Sequence, residues 1–108
     1  MTTDGVNVSV QVSEPVPGRI VVSGELTFAT ARDARLAGSL VLEGSSAPSF
    51  VIDCAGVVRA DSAGLAVLLD WLAWARRKSR PVRLENLPAS LVAIAKISEV
   101  DGLLTATA

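Results

Sequence analysis

The residues whose types and spacing could do chemistry lie in one stretch, Asp53-Cys54-Ala55-Gly56-Val57-Val58-Arg59-Ala60-Asp61-Ser62-Ala63-Gly64. Two carboxylates, Asp53 and Asp61, could in principle serve as a general acid and base. Such a pair would also need a cleft or a metal, and the sequence signals neither. The chain has no histidine, which removes Ser-His-Asp and Cys-His catalysis, histidine metal sites and histidine proton shuttles. The loop Gly44-Ser45-Ser46-Ala47 lacks the Gly-Lys-Ser/Thr ending of a phosphate-binding loop, so nothing supports nucleotide hydrolysis. What remains is the chemistry of a helix start. Ser62 reads as the N-cap, and Gly64 as keeping the first turn free of side-chain bulk. The free amides and positive dipole end there favour a phosphate on Ser62 or an acidic group from a partner. The plainer role for Ser62 is capping alone. Asp53, at a strand end, reads as an acceptor that fixes a loop, and Asp61 as a supplement to the cap. The single Cys54 excludes an internal disulfide and reads as a small core residue.

The elements that must position this stretch follow from periodicity. Val6, Val8, Val10 and Val12 alternate with polar residues as in a strand with one buried face. Glu14-Pro15-Val16-Pro17-Gly18 predicts a break, followed by a second strand over 19–23. Gly24-Glu25-Leu26-Thr27 leads into an Ala-rich helix ending near Leu42, with Thr27 as its N-cap and Leu36 and Leu40 at helical spacing. A buried third strand is expected over 49–54, then a short loop and the strongest helix, from Asp61 to about Lys78 and stopped by Pro81. A fourth strand over 82–84 precedes a third helix with Pro88 in its first turn and Leu91, Ile94, Ala95 and Ser98 on one face. The expected fold class is α/β, in the order ββαβαβα, with a mixed sheet of four to five strands packed against three or more helices. At 108 residues without a composition break, it reads as one domain.

On a helical wheel of the strong helix, Leu65, Leu68, Leu69, Leu72 and Ala75 form the core face. Val67, Trp71 and Trp74 fall on nearly the opposite side and read either as an exposed patch that binds a partner or as indoles lying over a neighbouring helix. Arg76, Arg77, Lys78 and Arg80 place positive charge at the negative end of the helix dipole. With a formal net charge of −1 and no aromatic interleaving in that cluster, a nucleic-acid partner is not expected. The N-terminus lacks the pattern of a secretion signal, and no apolar run approaches the roughly 20 residues that span a bilayer. The expected location is therefore the cytoplasm, without direct membrane insertion.

Three segments carry a family resemblance across nearly the whole chain. Gly24-Glu25-Leu26-Thr27 before a helix, Asp53-Cys54-Ala55-Gly56-Val57, and Asp61-Ser62-Ala63-Gly64-Leu65-Ala66-Val67-Leu68-Leu69 resemble the STAS domain of anti-sigma-factor antagonists. Cys54 and Ala55 replace the Leu-Ser common after that aspartate. Within the family the chain is similar to the small STAS subunit of Mla-type phospholipid-transport ABC systems. The likeness rests on Ser23-Gly24-Glu25-Leu26-Thr27-Phe28-Ala29-Thr30, on the Trp-bearing helix with its basic end, and on Leu84-Glu85-Asn86-Leu87-Pro88-Ala89-Ser90-Leu91. The resemblance implies a non-enzymatic subunit without cofactors. It would dock on a cytoplasmic ABC transporter ATPase, peripheral to the inner membrane through that complex, and support assembly and activity. The alternative it implies is an antagonist switched when an anti-sigma factor kinase phosphorylates Ser62. A small-ligand or nucleotide binder is the third class. On the docking reading, the partner surface comprises Ser62, Ala63, Gly64, Val67, Trp71 and Trp74, with Asp53 and Asp61 as loop and cap supports.

Overall fold

The computed structural model describes residues 8 to 105. Eight elements follow one another: β1 (Val10–Val16), β2 (Arg19–Leu26), α1 (Ala31–Gly44), β3 (Phe50–Ala60), α2 (Ser62–Arg77), β4 (Val82–Glu85), α3 (Ala89–Ile97) and α4 (Asp101–Thr105). The order is the expected ββαβαβα with a short closing helix. The strands form one sheet in the order β1-β2-β3-β4, with β1 antiparallel to β2 and the other pairs parallel. Each crossover, β2-α1-β3 and β3-α2-β4, moves the chain one strand in the same direction. Right-handed connections therefore place α1 and α2 on the same face of the sheet.

Strand alternation then separates the faces. Ile20, Val22 and Leu26 of β2 are buried towards the helices, as are Phe50, Ile52 and Cys54 of β3 and Val82 of β4. The register aligns Val21, Asp53 and Glu85 on the opposite face. Arg19 lies on that face too, and its guanidinium donates to Asp53 (2.7 Å) and Glu85 (3.2 Å).

Several boundaries differ from the sequence expectation for local reasons. Val6 lies outside the described residues, and Val8 precedes β1 and is exposed. β1 continues through Pro15 because it is an edge strand, where a missing ladder donor is tolerated. β2 continues to Leu26 rather than ending at Ser23. The N-cap position of α1 is Thr30, not Thr27. The Thr30 hydroxyl donates to the Glu25 carbonyl (2.7 Å) and accepts from the Thr27 N–H (3.0 Å), tying the end of β2 to the helix. The buried face of α1 is Ala34, Gly38 and Leu42, while Leu36 and Leu40 face solvent. Pro88 occupies the N-cap of α3, and Leu91 and Ala95 supply its buried face.

Candidate functional site

The helix start around Ser62 is built by β3, which does not end at Cys54 but runs on to Ala60. Its register against β2 slips twice: Val21 pairs with Asp53 but Ser23 with Gly56, and Gly24 pairs with Val57 but Glu25 with Arg59. Each slip is one extra residue on β3, and such bulges bend a strand and re-aim its side chains. The first moves the buried position from Cys54 to Val57. The second leaves Val58 unpaired, with 81% of its surface in solvent.

Asp53 stabilises the first bulge. Its carboxylate accepts from the Asn86 amide (2.9 Å), the Ala55 N–H (2.9 Å) and Arg19, and these bonds hold its pKa below the usual carboxylate value. Its bonds tie the Ala55 backbone and the β4–α3 turn to β3. Burial pushes the Cys54 thiol up to about 12, so it stays protonated in the core.

The cap of α2 is Asp61, not Ser62. The Asp61 Oδ1 accepts from the Ala63 N–H (2.9 Å) and Gly64 N–H (3.2 Å), and its Oδ2 accepts from the Phe28 N–H (3.0 Å). Burial raises the pKa of this carboxyl, but the three backbone donors outweigh it and leave the value lowered. One side chain therefore fixes both the helix start and the β2–α1 turn. Ser62 is the first helical residue; it is exposed, and its hydroxyl has no hydrogen bond among the described residues. Ala63 is half-buried beside it, and Ala66 is exposed one turn on.

The remaining expected contact residues are placed otherwise. Gly64 is buried: a Cβ there would lie 1.9 Å from the Leu26 carbonyl oxygen, so glycine lets α2 seat on the end of β2 rather than open it to a partner. Val67 and Trp71 are also buried, Trp71 to 2% exposure, so of the two readings of the wheel Trp71 follows that of an indole lying over a neighbouring helix rather than that of an exposed patch. The Trp71 indole lies on Gly38 of α1, where a Cβ would come within 2.2 Å of the ring, and α1 thereby covers this side of α2. Trp74 is half-buried, with its ring 6.2 Å from that of Phe50. The Arg80 guanidinium lies 5.5 Å from the Trp74 ring and 5.6 Å from the Phe50 ring while donating to the Ser45 carbonyl (3.1 Å), so it braces the core.

The large apolar side chains that do reach solvent near Ser62 are Phe28, 84% exposed, and Val58. Composition and periodicity did not single out either. A period-two reading of β3 cannot show a bulge, and Phe28 lies in a turn. Asp53 and Asp61 have separate structural roles. No cluster of three or more potential metal ligands occurs among the described residues, nor is any helix there long and apolar enough to cross a membrane.

A half-covered mixed sheet with a capped, outward-facing helix start after its bulged central strand defines the class of a STAS domain. The family profile described as "Mlab, STAS domain" matches residues 9–105, and the chain belongs to that family. Among solved structures, the chain is similar to the anti-sigma factor antagonist SpoIIAA in its unphosphorylated form. That match has TM-score 0.62 and 14% identity, and covers 82% of each chain. It is also similar to part of murine Slc26a9, an anion transporter in the inward-facing state, with TM-score 0.61 and 20% identity. There the match covers 76% of this chain but 14% of the transporter. A second SLC26A9 structure matches with TM-score 0.63 and 16% identity, over 79% of this chain and 16% of that one. At these identities the likeness is one of fold. No curated protein sequence matches significantly.

Proposed function

We propose that this chain is a non-enzymatic STAS subunit that docks on the cytoplasmic ATPase of an Mla-type phospholipid-transport ABC system through the start of α2. One observation carries the reading: Asp61 caps the helix and leaves the Ser62 hydroxyl exposed and uncommitted at the first helical position. A serine needed for capping would be structural; this one is free to meet a partner. The family described as Mlab agrees with the transporter assignment. The fold of SpoIIAA, matched over most of both chains, keeps the antagonist as the second reading, with Ser62 as the residue phosphorylated by an anti-sigma factor kinase.

The test is Ser62→Asp, assayed against the ATPase subunit of the same organism's Mla-type transporter. An acidic residue in the first turn suits the helix dipole, so stability should stay within about 0.5 kcal/mol of wild type. Binding should weaken at least about tenfold, because the new carboxylate must be desolvated at the contact. A stable variant that binds the ATPase normally would sink the docking role of Ser62. Phosphate transfer to Ser62 by an anti-sigma factor kinase, with no ATPase binding by wild type, would establish the second reading.

A further inference from the structure

We infer that the outer face of α1 is a self-association surface, on which a second copy of this chain packs antiparallel about a two-fold axis, leucine on leucine, with Arg32 of each copy against Glu43 of the other. The buried face of α1 is Ala34, Gly38 and Leu42, turned to the sheet and to Trp71. A helix turns about 100° per residue, so Leu36 and Leu40 stand about 160° from Gly38, one on each side of the line pointing away from the molecule. Both are in water, at 58% and 75% exposure. Two large apolar side chains one turn apart on one helix face form a stripe, not scattered surface residues. The charged residues of α1 are Arg32, Asp33, Arg35 and Glu43. Arg35 turns towards α2, where its Nε donates to Asp70 (2.7 Å), and it stands off the stripe. Arg32 and Glu43 flank the stripe on the Leu36 side, near its two ends, and Asp33 flanks it on the Leu40 side. All three are exposed.

This placement selects both the occupant and its direction. A two-fold axis crossing between Leu36 and Leu40 puts Leu36 of one copy on Leu40 of the other. It also keeps the flanks distinct: the Leu36 side of one copy faces the Leu36 side of the second, at mirrored heights along the helix. Arg32 therefore meets Glu43 of the second copy within one residue, about 1.5 Å, of the same height, and symmetry makes the contact twice. Asp33, on the other flank, meets the exposed Gly44 of the second copy, and the leucine stripe lies between it and Glu43 of that copy. A parallel pairing would instead set Arg32 on Arg32 and Glu43 on Glu43. With unlike charges at opposite ends of one apolar stripe, α1 complements itself better than it complements a partner of uniform charge. The contact is one helix wide, which makes the dimer weak and dependent on concentration.

The experiment is sedimentation velocity of the full chain from about 1 µM to about 500 µM in about 50 mM salt, conditions in which a small interface assembles and its charge pairs are little screened. Wild type should shift from monomer to dimer across that range. Leu40→Glu should remain monomeric throughout and, because Leu40 is exposed, keep its far-UV spectrum and its melting temperature at low concentration. Arg32→Glu and Glu43→Arg should each weaken dimerisation about tenfold or more, and the double variant should recover wild-type affinity within about threefold. Both changes suit the helix dipole, an acid in the first turn and a base in the last, so neither unfolds α1. A wild type that stays monomeric at the highest concentration overturns the inference. So does a dimer that survives Leu40→Glu, which would lie on another face, and so do single charge variants that the double variant does not rescue, which would exclude the antiparallel arrangement. If wild type is monomeric and Leu40→Glu instead abolishes binding of the ATPase subunit, the stripe belongs to that partner and not to a second copy.

Discussion

The middle of α2 and the segments that flank its start carry apolar groups of similar kind with opposite fates. In the middle, Trp71 is buried because α1 crosses it at Gly38, where the missing side chain admits the indole. At the start, no described element crosses, and Phe28 and Val58 stay in water although the Phe28 N–H is bonded to Asp61 and the neighbours of Val58 pair with β2. Hydrophobicity does not decide which apolar residues become core and which stay available. The path of the preceding crossover decides it.

The largest effect should come from removing the buried member of this comparison. Trp71→Ala leaves a cavity under α1 and should cost about 3–5 kcal/mol of unfolding free energy in urea titration, whereas Phe28→Ala should change it by less than about 0.5. Similar losses for both would mean that the two regions do not differ as described. Next in size is the carboxylate that organises the helix start. Asp61→Ala should cost about 1 kcal/mol, the worth of an N-cap, while Ser62→Ala should be nearly neutral. If thermal melts reversed that order, the cap would belong to Ser62 after all.

The smallest effect sharpens the role of the bulge supports. Asp53 and Asp61 both have folded pKa values below their ordinary ones. A carboxylate of this kind adds stability above its unfolded pKa, about 3.9, and that stability is lost as pH falls through the folded value. Melting temperature should therefore decline on acidification below about pH 4, and Asp53→Asn should flatten that decline. An identical acid limb in the variant would show that the Asp53 bonds to Asn86, Ala55 and Arg19 add nothing to stability.

Much of this was legible in the sequence, and the misses share a cause. The leucine period fixed α2 within a residue or so at either end, because that face packs locally on the sheet. The wheel also showed a second apolar side but could not show that Gly38, far back in the chain, would let α1 cover it. Leu36 and Leu40, at helical spacing, face solvent for the converse reason: the small Ala34 and Gly38 form the inward face because a tryptophan fills the space opposite. Ser62 and Asp61 exchanged capping roles because either side chain can accept from the first-turn amides, and only the path of the preceding strand selects one. The end of β3 was missed because its bulges break the alternation on which strand assignment depends.

Those bulges also bear on how this chain should be compared with its relatives. Each inserts one residue into the pairing of β3 with β2, so two insertions separate Asp53 from Ala60 without an odd shift remaining at Ala60. Length variation between homologues is best tolerated at 55–58, and gaps in an alignment belong there. A single-residue gap placed earlier in β3 would exchange the inward Phe50 and Ile52 with the outward Val51 and Asp53.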